Sequence, residues 1–332
     1  MRTVLVTGYG GFLGAAITRM LINAGYKVRG LARGVYPDLV AMGVDGIRGD
    51  ITDRSAVAAA LIGCQAVIHT AALAGVWGPW HRYYRVNTLA TSLLLEAAVA
   101  AQCQAFVFTS SPSVTFAAQN QSSIDESTPY PTQWLCHYPH TKALAEQAVL
   151  SAAKSGVLAT CALRPHLIWG NGDPHLMPRV VARARAGKLR KIGSGTNLID
   201  IVHVENAAAA HLLALERLLA NDALVNGQAF FITDGVPIEC WEWISRILTA
   251  SDTPVPKSSL SYSAAYRIGV VLELAYRSAG VQHEPPMTRF VAAQLAFDHY
   301  FSIDRARRLL GYQPAQQLDR RLAECEPWLR AL

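Results

Sequence analysis

Tyr138 and Lys142 are the two side chains whose spacing points most directly to chemistry. Residues four apart lie on one face of an α-helix, so an ammonium group would stand beside a phenol. A nearby positive charge favours the phenolate and lowers the pKa of a tyrosine, which can then exchange a proton near neutral pH. Pro139 disfavours a helical conformation at Tyr138, so we expect the helix to start there.

Three residues with hydroxyl side chains lie at the end of the apolar segment that precedes this pair. Thr109, Ser110 and Ser111 follow the strand-like residues that begin at Ala105. A hydroxyl at the end of such a strand could donate a hydrogen bond to a carbonyl oxygen and orient it for reduction. Simple capping of the strand end is the alternative role of Ser110 and Ser111.

Three glycines at the start of the chain predict a dinucleotide-binding turn. Gly8, Gly11 and Gly14 form the pattern G-x-x-G-x-x-G between a strand-like and a helix-like segment. We expect Gly8 to allow a tight turn, Gly11 to let backbone N–H groups approach a pyrophosphate, and Gly14 to let the helix pack on the strand. The positive end of that helix would then face the phosphates. An ordinary glycine-rich loop is the alternative.

Alternating elements in the first half predict an α/β fold with a doubly wound parallel sheet of the Rossmann type. The expected strands are Val4–Thr7, Lys27–Ala32, Ala66–Thr70, Ala105–Ser110 and Leu158–Arg164. The expected helices are Phe12–Asn23, Asp53–Ile62, Asn87–Ala101 and Thr141–Lys154. Ligands of such sheets bind beyond the carboxyl ends of the strands, where the candidate residues fall.

The regular alternation of strands and helices ends after Pro165, and this change predicts two lobes. Residues 1–172, joined again by 199–235, would form the dinucleotide-binding domain. Residues 173–198 and 236–332 would form a smaller, mostly helical substrate lobe.

The composition favours a well-filled core. Of the 332 residues 51% are hydrophobic and 16% are charged, and the net charge is +6. The basic cluster between Arg179 and Lys191 is interpreted as a solvated helix face, and binding of a nucleic acid, an anionic substrate or a cofactor phosphate is the alternative. Six cysteines without a C-x-x-C pair fit a reducing compartment, and we expect a cytoplasmic protein. No leader is expected, because the first strand begins at residue 2.

No apolar segment is long enough to span a bilayer. The segment Tyr262–Ala279 is expected to form a helix packed on its own domain, and an amphipathic helix that covers an apolar substrate or contacts a membrane surface is left open. His137 and His140 have no Cys, Asp or Glu at a spacing that would complete a metal site, so no metal is expected.

Together these motifs resemble the extended short-chain dehydrogenase/reductase family, in its 3β-hydroxysteroid dehydrogenase/isomerase branch. Within that branch the chain is most similar to bacterial 2-alkyl-3-oxoalkanoate reductases of olefin biosynthesis. The general resemblance rests on Thr7–Gly14, Asp50-Ile51, His69–Ala72, Asn87, Thr109–Ser111, Tyr138 with Lys142, Arg164-Pro165 and Phe301–Pro314. The narrower one rests on Gly75–Gly78, Leu163–Gly170, Gly172–Arg179 and Ala265–Gly269.

The resemblance implies roles for these residues. Tyr138 would protonate the ketone oxygen, Lys142 would bind the nicotinamide ribose and tune Tyr138, and Ser111, with Ser110 as the fallback, would orient the substrate. A homodimer through Asn87–Ala101 and Tyr138–Ser155 is expected. The cofactor site would comprise Gly8, Gly11, Phe12, Leu13, Gly14, Arg33, Asp50, Ile51, His69, Ala71, Ala72, Asn87, Tyr138, Lys142, Arg164 and Pro165.

The end of the second strand predicts NADP(H) as the cofactor. Ala32 stands where NAD-preferring members of the family carry an aspartate, and the next acidic residue is Asp38. Arg33 can pair with a 2′-phosphate through two N–H donors. Use of NAD(H) remains an alternative, with Arg33 as a solvated strand-end arginine.

The predicted activity is NADPH-dependent reduction of the 3-keto group of a long-chain 2-alkyl-3-oxoalkanoic acid, an apolar small-molecule substrate. A 3β-hydroxysteroid or sterol dehydrogenase, a nucleotide-sugar epimerase or dehydratase, and a non-enzymatic NADP-sensing regulator are the alternatives. Arg82 and Arg85 are candidates to meet a substrate carboxylate. An apolar pocket wall would be formed by Trp77, Trp80, Tyr83 and Tyr84.

Overall fold

Short apolar runs that end in glycine or polar residues form the strands of the molecule, and the computed structural model describes residues 1–332. The strands are β1 (Thr3–Thr7), β2 (Lys27–Ala32), β3 (Asp45–Arg48), β4 (Ala66–His69), β5 (Ala105–Thr109), β6 (Gln121–Ile124), β7 (Ala159–Pro165), β8 (Ile168–Trp169), β9 (Lys191–Ile192), β10 (Leu198–Ile199), β11 (Val202–His203), β12 (Gln228–Ile232), β13 (Ile238–Glu239), β14 (Ser259–Leu260) and β15 (His299–Phe301).

Twelve α-helices lie between and after these strands. They are α1 (Phe12–Asn23), α2 (Pro37–Ala41), α3 (Arg54–Leu61), α4 (Trp80–Tyr83), α5 (Ala90–Ala100), α6 (His137–Ala152), α7 (Leu176–Arg185), α8 (Val204–Leu219), α9 (Cys240–Ala250), α10 (Tyr262–Ser278), α11 (Arg289–Ala296) and α12 (Leu318–Ala331). A π-helical stretch, Tyr84–Leu89, joins α4 to α5, and a 3₁₀ turn, Pro112–Thr115, follows β5.

A seven-stranded parallel sheet combines six strands from the first half of the chain with β12 from the second half. Its strand order is β12-β7-β5-β4-β1-β2-β3, and every pair within it is parallel. The predicted doubly wound α/β fold is thereby confirmed. The sequence did not predict β3, because this edge strand reads Asp-Gly-Ile-Arg and is largely exposed, so it has no apolar run.

Helices cover both faces of this sheet because alternate side chains of each strand point to opposite faces. Val4 and Val6 of β1 are buried in one core together with residues of α1 and α8. Leu5 of the same strand is buried in a second core, with residues of α3, α5 and α6. Helix α6 packs on β7 and shares this core with β5, near the candidate catalytic residues.

A third core defines the smaller lobe. Trp169 and Trp243 pack edge to face, with ring centroids 5.0 Å apart, among residues of α7, α9 and α12. None of the helices combines the length and the apolarity that crossing a bilayer requires.

The end of the chain departs from the predicted division at residue 236. Phe301 stacks on Phe231 of β12, with ring centroids 4.4 Å apart, and Tyr312 is buried in the same core as β1 and α1. Strand β15 also pairs with β6. The segment 301–312 lies against the main sheet rather than in the smaller lobe, because its aromatic side chains are buried there.

Candidate active site

The glycine turn after β1 depends on close backbone contacts. Gly8 has a φ of +69°, a conformation that favours glycine, and its N–H donates to the Leu31 carbonyl at 2.8 Å. A Cβ atom on Gly14 would lie 2.1 Å from the carbonyl oxygen of Gly8. Only glycine at position 14 lets the first turn of α1 approach the strand so closely.

The start of α1 fits the phosphates of a dinucleotide. Gly11 occupies the N-cap position without a side chain to cap the helix, and it is exposed. The N–H groups of Phe12 and Leu13 donate to no acceptor in the chain. Unpaired N–H groups at the positive end of a helix bind anions, and the bare glycine surface leaves room for one.

Asp50 and Ile51 follow β3 at the same edge of the sheet. The Asp50 carboxylate accepts hydrogen bonds from the N–H and hydroxyl of Thr52 at 2.8 and 2.9 Å, which lower its pKa. Arg33 and Arg85 lower that pKa further through their charges. Arg85 therefore lies near Asp50, and the Ile51 side chain is buried.

His69 is a fully hydrogen-bonded core residue. Its Nδ1 bonds to the Thr7 hydroxyl at 2.7 Å and its Nε2 to the Thr91 hydroxyl at 3.0 Å. Burial lowers the pKa of His69 to about 3, so the ring is neutral. The side chain is thus occupied in supporting β1, while Ala71 and the exposed Ala72 continue from β4 along the cleft.

Asn87 is likewise buried and used within the protein. Its Oδ1 accepts from the Leu73 N–H at 2.8 Å, and its Nδ2 donates to the Leu73 carbonyl and the Thr141 hydroxyl, both at 3.1 Å. The amide ties the loop after β4 to helix α6. Both Nδ2 hydrogens are used, so the second lone pair of Oδ1 is what remains for the cofactor contact that the resemblance implied.

Arg164 departs from its predicted role because its guanidinium is engaged elsewhere. It pairs with Glu146 of α6 at 2.5 Å, and both side chains are almost fully buried. The Tyr130 hydroxyl donates to the same carboxylate at 2.7 Å. The side chain therefore fastens α6 to β7, and the neighbouring Pro165 is buried at the end of that strand.

Tyr138 lies inside α6, not before it as expected. Cys136 is the N-cap residue, so Pro139 falls in the first helical turn. A proline is tolerated there because N–H groups of the first turn have no acceptor within the helix. The phenol and the Lys142 side chain consequently share one face of a regular helix.

Lys142 is buried, and its ammonium donates to the Thr109 carbonyl at 2.5 Å. The Nζ atom also lies 3.9 Å from the centre of the Phe108 ring. Burial lowers the pKa of Lys142 to about 7, since a desolvated ammonium loses stability relative to the amine. The charge is thus present below neutral pH and lost above it.

The pKa of Tyr138 is raised, which corrects the expected lowering. Burial raises it to about 12, and the nearby Ser111 hydroxyl only partly opposes this. The Lys142 ammonium is engaged with β5 instead of the phenol. Tyr138 therefore holds its proton at neutral pH and is equipped to act as an acid.

Ser111 and Ser110 differ in their surroundings. The Ser111 hydroxyl is near enough to the Tyr138 phenol to lower its pKa, and it lies 2.8 Å from the Ser113 hydroxyl. The Ser110 hydroxyl is buried without a hydrogen-bond partner. The geometry favours Ser111 as the group beside the phenol.

A cavity of about 470 Å³ opens next to the start of α6. Three segments that are distant in sequence line it: Val76–Pro79, Trp134–His137 and the end of α10 with the residues that follow. Trp77 belongs to this wall, and Tyr83 and Arg82 line a smaller cavity of about 150 Å³ beside it.

The remaining aromatic and histidine side chains near the cavity pack on one another. Trp80 stacks on Tyr84 at 5.4 Å, and His140 stacks on Trp134 at 5.1 Å. No group of three or more His, Cys, Asp or Glu side chains could hold a metal ion.

The sequence analysis did not assign the charged residues that line the cavity to the site. Glu273, Arg277 and Arg289 line it, although the sequence favoured Arg82 and Arg85 for this side. The charges of Glu273 and Arg277 within the otherwise apolar α10 were the available indication.

A model of the 3-beta hydroxysteroid dehydrogenase/isomerase family matches residues 5–262. The chain belongs to that family. A 2-alkyl-3-oxoalkanoate reductase of Shewanella oneidensis is 45% identical over 92% of this chain and 81% of its own length. A decarboxylating sterol-4-alpha-carboxylate 3-dehydrogenase of Mus musculus is 36% identical over 95% of this chain and 87% of its own. The family resemblance is confirmed, and the chain is an oxidoreductase.

A solved structure supports the same fold. MoeE5 in complex with UDP-glucose and NAD superimposes with a TM-score of 0.76 at 26% identity, over 99% of both chains. The extended short-chain dehydrogenase/reductase architecture thus spans the whole chain.

The buried ion pair leads to a stability prediction. Glu146→Gln leaves the Arg164 guanidinium buried without a counter-charge, so we expect the free energy of unfolding to fall by about 3–5 kcal/mol. Glu96→Gln removes the exposed partner of Arg54 and should cost less than about 1 kcal/mol. Urea denaturation of both variants measures the difference. Equal losses in the two would contradict the assigned role of Arg164.

Proposed function

We propose that the protein reduces the 3-keto group of a long-chain 2-alkyl-3-oxoalkanoic acid to the 3-hydroxy acid, using NADPH. The observation that carries the proposal is the cluster of Ser111, Tyr138 and Lys142 at the end of β5, beside a cavity and the glycine turn. The name of the Shewanella relative supports the substrate class.

A bound reduced nicotinamide supplies the hydride for this reaction. The protonated Tyr138 donates its proton to the ketone oxygen as negative charge develops on that oxygen. The Ser111 hydroxyl donates a hydrogen bond to the same oxygen and fixes its position. Lys142, when protonated, lies one helical turn away and stabilises the phenolate that remains after proton transfer.

The cavity suits a substrate with apolar chains and one polar end. Aromatic and aliphatic residues form much of its wall, among them Val76, Trp77, Trp134, Leu135 and Val281. The Trp77 indole donates to the Val281 carbonyl at 3.1 Å, which joins the loop after β4 to the end of α10. A wall fixed in this way limits the access of water to the reacting carbonyl.

NADP(H) is the cofactor that the nucleotide end of the cleft favours. Arg33 is exposed, donates no hydrogen bond from its side chain, and lies near Asp50 together with Arg85. With Ala32 in place of an acidic residue, two guanidinium groups are available for a 2′-phosphate.

The proposal also concerns the oligomeric state and the cellular location of the protein. We infer a homodimer through α5 and α6; Val99 on α5 is exposed although it is apolar. The cytoplasmic location is supported by six free cysteines, of which five are buried. The exposed apolar residues Ile268, Val271 and Leu274 of α10 leave a surface that could touch a membrane.

A sterol dehydrogenase is the second candidate, because the mouse relative carries that name at 36% identity. A panel of 2-alkyl-3-oxo acids, 3β-hydroxysterols and sugar nucleotides, assayed by the absorbance of NADPH, separates the candidates. Turnover of a sugar nucleotide or a sterol but no 3-oxo acid would contradict the proposed function.

Tyr138→Phe tests the proton donor. We expect kcat for the 3-oxo acid to fall by about 10²- to 10⁴-fold, since the general acid is removed. Tyr300→Phe, on β15, is the matched control and should retain wild-type kcat, because its hydroxyl makes no hydrogen bond in the chain. Steady-state kinetics measure both. Full activity of Tyr138→Phe would refute the mechanism.

Arg33→Ala tests the cofactor preference. We expect KM for NADPH to rise about tenfold or more through the loss of a charge-assisted hydrogen bond, with little change for NADH. Arg19→Ala removes an equally exposed charge from α1 and serves as the control. The kinetic constants for the two dinucleotides are compared in all three proteins. A wild-type protein that prefers NADH would defeat the assignment.

A further inference from the structure

Two charged side chains at the end of α10 differ in their hydrogen bonds: those of Glu273 are satisfied within the chain, and those of Arg277 are not. Glu273 is buried, and its two carboxylate oxygens accept hydrogen bonds from the N–H and Nε of Arg289, at 2.7 and 3.0 Å. Arg277 follows Glu273 by one helical turn, but its nearest nitrogen is 3.7 Å from that carboxylate. Arg277 donates no hydrogen bond to any acceptor in the chain, although it lines the cavity.

The cavity therefore carries an unneutralised positive charge. Its fully charged side chains are one carboxylate and two guanidinium groups, and Arg289 already satisfies the carboxylate. The Arg277 guanidinium lies 5.6 Å from the centre of the Trp77 ring, which supports it while its N–H donors remain free. A planar guanidinium with free donors is the group that binds a carboxylate through two hydrogen bonds.

This positive charge lies close to the proton donor. Cys136 and His137, which immediately precede Tyr138, line the same cavity as Arg277. The charge of Arg277 is one of the causes that lower the pKa of His137, after burial. An anionic group bound by Arg277 would thus be held near the reacting carbon.

The names of the two groups of relatives describe substrates with a shared feature. In a 2-alkyl-3-oxoalkanoate the carboxylate is attached to the carbon next to the oxo carbon. In a sterol-4-alpha-carboxylate the carboxylate is likewise on the carbon next to C3, where the dehydrogenase acts. A carboxylate next to the reacting carbon is therefore common to both.

We propose that Arg277 binds the carboxylate of the substrate and makes the enzyme selective for 3-oxo and 3-hydroxy acids over neutral ketones and alcohols. Glu273 and Arg289 are positioning residues that fix the end of α10. This inference rests on the proposed function and names the residue that recognises the acid, in place of Arg82 and Arg85.

The test compares an acid with its neutral ester. A long-chain 2-alkyl-3-hydroxyalkanoic acid and its methyl ester are oxidised with NADP⁺, because hydroxy acids, unlike 3-oxo acids, do not lose carbon dioxide spontaneously. The variants are Arg277→Gln, Arg277→Lys and the control Arg267→Gln. Arg267 lies on the same helix and is exposed like Arg277, but it does not line the cavity.

We expect Arg277→Gln to raise KM for the acid by about 10- to 100-fold, with a loss at least ten times smaller for the ester. Arg277→Lys should recover part of the affinity for the acid, and Arg267→Gln should match the wild type. An equal loss with acid and ester would show a structural role and overturn the proposal, as would an unchanged KM for the acid.

Failure of the proposed function gives a different result. If the wild type oxidises neither compound, binding of the hydroxy acid is measured by calorimetry in the wild type and in Arg277→Gln. Weaker binding in the variant then supports the carboxylate site, although the reaction assignment fails. Equal binding, or no binding to the wild type, contradicts the site.

Discussion

The hydrogen bond from the buried Lys142 ammonium to the Thr109 carbonyl is the contact on which the site depends. It joins helix α6 to the carboxyl end of β5, the strand that also ends in the serines. One turn further along, Glu146 pairs with Arg164 of β7. Two buried ionic side chains on one helix thus fasten it to two adjacent strands, and this places Tyr138 beside Ser111.

Burial sets the protonation states of this group. A desolvated phenol keeps its proton, and a desolvated ammonium gives up its proton more readily. The pKa of Tyr138 at about 12 and that of Lys142 at about 7 follow this rule. Tyr138 is therefore a protonated acid at neutral pH rather than a phenol with a lowered pKa. The Lys142 ammonium is the charge that stabilises its phenolate after proton transfer.

The local patterns predicted the fold and the pairing of Tyr138 with Lys142 on one helix face, but not the tertiary contacts around them. The glycine turn, the parallel strands and Tyr138 with Lys142 depend on short-range spacing, which a sequence displays directly. The sequence placed the start of α6 too late, because residues before a proline usually avoid the helical conformation. Pro139 lies in the first turn of α6, where a proline is tolerated, so Tyr138 is helical. The partner of Arg164 and the charges around Arg277 depend on tertiary packing, which brings segments some 200 residues apart into one wall.

The titration of Lys142 in the free protein tests this account most directly. Carbon-13 NMR of protein labelled at the lysine ε-carbon, with the resonance assigned through Lys142→Met, reports its protonation state. We expect Lys142 to titrate with a midpoint near pH 7. A Lys142 that stays charged up to pH 10 would contradict the burial that organises the site.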